Sequence, residues 1–160
     1  MLNKRKAREL AMQIMFLWDS HSTQEVDDAR QIVTDGTDNP DIRKWALEWA
    51  AAAWEQRTIS DLRVERISPQ WPPNRQPMVD RNIIRLAMWE LCSTTTPPKV
   101  VLDEAIEIAK QFSTDQSASF INGVLDAALK ENVALTSELP VATSEDTKPV
   151  DIKAEESKTG

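Results

Sequence analysis

The sequence predicts an all-α domain, and three observations predict it. Apolar residues recur at helical spacing in every segment that shows a pattern. Only three glycines occur in 160 residues, and the helix formers Ala, Leu, Glu, Gln, Lys and Arg are plentiful. Tight sheet turns rely on the free φ of glycine, so its scarcity favours helices. The length suits one ordinary domain, for which six or seven helices are expected.

The first helix is marked by Ala7, Leu10, Ala11, Ile14, Leu17 and Trp18, which recur at i, i+3, i+4 and i+7 on one stripe. At 100° per residue, Lys4, Arg5 and Arg8 fall on the arc opposite that stripe and Lys6 near its edge, so these cations are expected in solvent. A short acidic helix follows around Val26–Val33, stopped by the turn-rich run from Thr34 to Pro40. Asp41 opens a helix whose core face is Ile42, Trp45, Ala46, Trp49 and Ala53. A weaker pattern through Ile59, Leu62, Arg63 and Ile67 carries on to Ser68. Residues 69–77 hold four prolines and form a loop, because proline lacks an amide donor and fixes φ; Trp71 is expected to anchor that loop on the body. Val79, Ile83, Leu86, Ala87 and Leu91 define the next helix. Pro97 and Pro98 open another, with Val101, Ala105, Ile108, Ala109 and Phe112 inward. Ser113 and Gln116 have capping-box spacing. The last helix carries Phe120, Ile121, Val124, Leu125 and Ala128. Residues 1–133 therefore read as the folded domain and 134–160 as a disordered acidic tail, too polar to offset its ordering entropy.

The formal net charge is −7, but four of those negative charges lie in the last thirty residues. Residues 1–130 are near balance, and Lys4, Arg5, Lys6 and Arg8 are opposed locally by Glu9 alone. Because charges are screened beyond roughly 8–10 Å at physiological salt, such a patch governs phosphate contact more than the total does. One cysteine, Cys92, excludes an intramolecular disulfide and suits a reducing compartment; at the end of an apolar helix it reads as a buried thiol. No run approaches the ~20 apolar residues of a membrane span. The basic N-terminus lacks the cleavage site of a secretory signal. On these features a cytoplasmic protein is expected.

Catalytic chemistry finds no constellation. His21, the sole histidine, has no second metal ligand beside it. Asp103, Glu104 and Glu107 read as the solvated flank of an amphipathic helix, and no glycine-rich phosphate loop is present. A non-enzymatic protein without a cofactor is expected.

Three strings carry more specific information: Val79-Asp-Arg-Asn-Ile-Ile-Arg-Leu-Ala-Met-Trp-Glu-Leu91, Pro97-Pro-Lys-Val-Val-Leu-Asp-Glu-Ala-Ile-Glu-Ile-Ala-Lys110 and Phe120-Ile-Asn-Gly-Val-Leu-Asp126. In this order and at these separations they resemble the NusB family, and Lys4 to Phe16 resembles its opening helix with the arginine-rich motif. The resemblance implies an all-α fold of two small helical bundles. It also implies binding of the boxA element of ribosomal RNA leader transcripts together with NusE, a small-subunit ribosomal protein, within an antitermination complex on RNA polymerase. Transferred by position, the RNA-binding set is Lys4, Arg5, Lys6, Arg8, Phe16, Asp80 and Phe120. Two lysines stand where arginines are common, and lysine lacks the planar fork for bidentate phosphate contact. Ser113 and Gln116 replace a frequent Gly and acidic residue, and Ser119 replaces a basic one. Phe120 also fits the core face of its helix. Two other roles suit the same fold: a protein-interaction module with weak or no RNA binding, and the RNA-binding partner of a ribosomal RNA methyltransferase.

Overall fold

The computed structural model describes residues 2–138, which form seven α-helices and one 3₁₀ turn, with no strand among the described residues. In chain order they are α1 (Leu2–His21), α2 (Val26–Gly36), α3 (Pro40–Glu55), α4 (Arg57–Ile67), α5 (Met78–Ser93), α6 (Pro98–Phe112) and α7 (Asp115–Glu138), with the 3₁₀ turn at Pro73–Arg75. Residues 1–129 make one compact unit and a second begins at Lys130. Of the acidic tail expected from residue 134, residues 134–138 continue α7 and the rest lie outside the described residues.

Helix α1 organises the compact unit by packing on α2, α3 and α5. Its buried arc is wider than the apolar stripe suggests, because Met12 and Met15 join Ala7, Leu10, Ala11, Ile14 and Trp18 in the core. The outward stripe is therefore narrow: Arg5, Phe16 and Ser20 are exposed along it with half-buried Glu9 and Gln13 between them, and Lys4 is exposed to one side. Gly36 ends α2 against this helix, where a Cβ would come within 2.5 Å of Leu10 Cδ2; the missing side chain permits that close approach.

Local chemistry sets the other boundaries. Asn39 caps α3 by accepting from the amides of Asp41 and Ile42 at 2.8 and 3.2 Å. Pro40 fills the first helical position, where no amide is needed. At α7 the cap is Thr114, whose hydroxyl accepts from the Ser117 amide at 3.0 Å. This is one residue beyond the expected capping box, because the Ser113 hydroxyl is spent elsewhere. Trp18 meets Trp54 edge-to-face with centroids 5.7 Å apart, and its indole donates to the Glu25 carbonyl at 2.9 Å. The core then runs through α5, α6 and α7 by way of Ile84, Met88, Val101, Ile108, Ile121 and Leu125. None of the described helices is long and apolar enough to cross a membrane.

A charged network joins α1, α4 and α5. Asp19 accepts from Arg81 Nε at 2.7 Å, Arg81 Nη2 at 2.9 Å, Asn82 Nδ2 at 2.9 Å and Arg85 Nη1 at 3.1 Å. Arg85 also grips Asp61 through two bonds of 3.0 and 2.7 Å. Burial pushes the Asp19 carboxyl upward, but the hydrogen bonds from Arg81 and Asn82 and the charges of Arg85 and Arg81 outweigh it and hold it below the ordinary carboxylate range. A carboxylate depressed in the folded state contributes stability above its unfolded pKa of about 3.9, and that contribution is lost as pH falls through the folded value. Asp19→Asn should therefore cost about 2 kcal/mol at neutral pH. The gap to wild type should narrow in denaturation curves taken below about pH 4, and a gap independent of pH would contradict the assignment.

Candidate nucleic-acid interface

The cationic cluster of α1 divides into two kinds of residue. Lys4 is exposed and lies over the Trp45 ring, 5.8 Å from its centroid, and Lys6 is half-buried. The two arginines are engaged by acids of other helices. Arg5, exposed, donates from Nε and Nη2 to the two carboxylate oxygens of Glu104 on α6 at 2.8 and 2.9 Å. The Arg5 hydrogen bond holds the Glu104 carboxyl below its usual range against the opposing effect of burial.

Arg8 does not stand in solvent. It is 6% exposed and makes a bidentate pair with Glu90 of α5, Nε to Oε1 at 3.0 Å and Nη2 to Oε2 at 2.6 Å. Its third nitrogen lies 3.9 Å from Glu104, and its guanidinium lies 5.7 Å from the Trp49 ring centre. The expectation of exposure failed because Met12 and Met15 extend the buried arc round to Arg8, which then requires a buried partner. Glu104 is likewise not a merely solvated residue, since it answers both arginines.

The aromatic members are accessible to different degrees. Phe16 is 36% exposed and lies three turns along the same stripe as Arg5. Phe120 on α7 is half-buried and packs against the core while also lining an open hollow of about 440 Å³. The hollow is shared by Trp71, Pro77, Asp80, Thr114, Gln116, Ser117 and Phe120.

Asp80 forms part of its wall but is 2% exposed. Both its carboxylate oxygens are occupied, accepting from Ser113 Oγ at 2.7 Å and Ser117 Oγ at 2.6 Å. Asp80 thus ties the start of α5 to the start of α7, which positions Phe120. Ser113, a departure from the family pattern, supplies one of those bonds.

Two further expectations change, for Trp71 and Cys92. Trp71 does not pack its loop down; it is 43% exposed, and Pro73 and Gln76 are the buried residues of that loop. Cys92 is exposed rather than buried, with Arg63 Nη1 donating to its sulfur at 3.3 Å. His21 lies 3.6 Å from Asp28, and among the described residues no group of His, Cys, Asp or Glu could hold a metal ion. The Trp45–Trp49 pair was legible only as core; the structure stacks the rings nearly parallel, 6.0 Å apart, beside Lys4 and Arg8.

Comparison with known proteins agrees with this architecture. The profile of the NusB family matches residues 5–130. The transcription antitermination protein NusB of Solibacter usitatus (strain Ellin6076) is 38% identical over 134 residues, covering 82% of this chain and 91% of its own. A solved structure of T. maritima NusB is 33% identical, with a TM-score of 0.69 over 79% of this chain and 90% of that one. A structure of NusB and NusE in complex with double-stranded RNA shares the fold at 23% identity, with a TM-score of 0.73 and coverage of 82% and 98%. The chain belongs to the NusB family.

Proposed function

We propose that this protein is a non-enzymatic, cytoplasmic transcription antitermination factor. It binds boxA-type ribosomal RNA leader sequence together with a NusE-like ribosomal protein, as part of a complex on RNA polymerase. The observation that carries this reading is a family match spanning residues 5–130, which takes in the cationic first helix from Arg5 onward, Phe16, Asp80 and Phe120. The antitermination protein of Solibacter usitatus supports the activity, and the complex of NusB and NusE with RNA supports the partners. Lys4, Lys6 and the outer nitrogens of Arg5 supply phosphate contacts, Phe16 and Phe120 supply aromatic surface, and Asp80 acts by holding α7 in place. The test is a titration of boxA-type RNA and a scrambled control, with and without the NusE-like protein. Sequence-selective binding that tightens with the partner is expected, and equal affinity for both RNAs would contradict the reading.

One observation favours the interaction-module alternative. Arg5 and Arg8, half of the basic motif, already hold carboxylates, so phosphate must compete with Glu104 for Arg5. Glu104→Gln should release that competition. RNA affinity is expected to rise a few-fold and its salt dependence to steepen by up to about one unit of slope. The melting temperature should fall only slightly, since the Arg5 side of the pair is exposed and the contact with Arg8 is long, at 3.9 Å. Unchanged RNA affinity would mean that Arg5 takes no part in binding even when Glu104 no longer holds it.

A further inference from the structure

We propose that Trp71 is a base-stacking residue, and that the hollow between it and Phe120 receives one unpaired base of the bound RNA. This inference rests on the RNA-binding function above and deepens it.

A large aromatic in a proline-rich loop ordinarily packs inward, yet Trp71 leaves 43% of its surface open. Its position is nevertheless fixed. Its amide donates to the Ser68 carbonyl at 3.1 Å, and its own carbonyl accepts from Gln76 Nε2 at 3.1 Å. Gln76 is itself buried, and its amide donates to Pro73 at 3.1 Å. Arg81 Nη1 adds a bond of 3.3 Å to the same Pro73 carbonyl. Prolines 69, 72, 73 and 77 restrict the rest of the loop. The ring is therefore displayed by a stiff support, and little ordering entropy remains to be lost when a ligand stacks on it.

The chemistry of the hollow selects a base over a phosphate. Its volume of about 440 Å³ lies within the roughly 300–1,000 Å³ usual for small-ligand sites. Trp71 and Phe120 offer π faces and Gln116 a neutral side-chain amide, while the Thr114 hydroxyl can still donate and the Ser117 hydroxyl still accept beside the bonds they already make. The charged member, Asp80, is an anion whose oxygens are already satisfied by Ser113 and Ser117. Its charge disfavours phosphate and leaves a planar, uncharged ring as the fitting guest. Base stacking on an exposed aromatic is the usual means of holding single-stranded RNA.

The test uses the full chain, a boxA-type RNA oligonucleotide and a set of that oligonucleotide with single abasic positions. Trp71→Leu is expected to weaken binding about tenfold, within the range of one lost stack, at an unchanged melting temperature, and Trp71→Phe should restore most of it. One abasic position should weaken wild type by the same factor and leave Trp71→Leu indifferent, as in a double-mutant cycle. Full affinity in Trp71→Leu overturns the proposal while RNA binding stands. A loss seen only when the NusE-like protein is present places that protein in the hollow, and also overturns it. Failure of wild type itself to bind the RNA overturns the functional reading and this inference with it.

Discussion

Arg8→Ala is expected to lower the melting temperature by roughly 10–20 °C, the equivalent of about 3–5 kcal/mol for a domain of this size. The reason is what remains behind. Glu90 is 5% exposed, and removing the guanidinium strands its carboxylate among Met12, Ile83, Leu86 and Val101, which line the same internal space. A buried charge without its partner costs more than the pair contributed. Replacing both residues, as Arg8→Met with Glu90→Leu, should recover most of the loss, because the desolvation of both ions is removed together. Arg5→Ala serves as the contrast. Its pair with Glu104 is exposed on the arginine side, so its loss should cost under about 1 kcal/mol. Thermal denaturation of these variants checks the assignment, and an Arg8→Ala protein melting within a few degrees of wild type would refute the buried pair.

The second large effect is on binding. Lys4→Glu combined with Lys6→Glu should reduce RNA affinity roughly a hundredfold near physiological salt, at about 1.4 kcal/mol for each lost charged contact. Among the described residues of the basic cluster these two form no ion pair, so their replacement touches no buried partner and the fold should survive. The salt slope should flatten by about 0.7 per single-stranded phosphate contact removed. Arg8 is omitted from this variant because its loss would weaken binding through unfolding. Affinity measured at several salt concentrations, beside the melting temperature, separates the two causes. An unchanged slope in a folded double variant would remove α1 from the RNA surface.

The division between Lys4 and Arg8 also shows where the sequence stops being legible. Helix positions follow from periodicity and caps, which are local. Exposure around α1 depends on how many neighbours surround it, and Met12 and Met15 are apolar residues that a three-four stripe leaves out. Once they are buried, Arg8 between them is buried as well, and Glu90, 82 positions away, must answer it. No local pattern announces that pairing. Asp80 is similar: its place in the family motif was readable, but its two serine partners come from the turn before α7 and from α7 itself. Trp71 was misjudged because proline-rich loops usually hold an aromatic down. Here Gln76 and Pro73 do the anchoring, and the indole is left facing the hollow.

On the proposed function, RNA lies along the exposed residues of α1 from Lys4 to Phe16 and reaches the start of α7. Amide chemical-shift mapping of the isotope-labelled chain during titration with boxA-type RNA tests it most directly. The largest changes are expected at residues 4–6, at Phe16 and across residues 114–120, while α4 around the exposed Ile59 and Leu62 stays silent. Changes confined to α4, or none at saturating RNA, would contradict it.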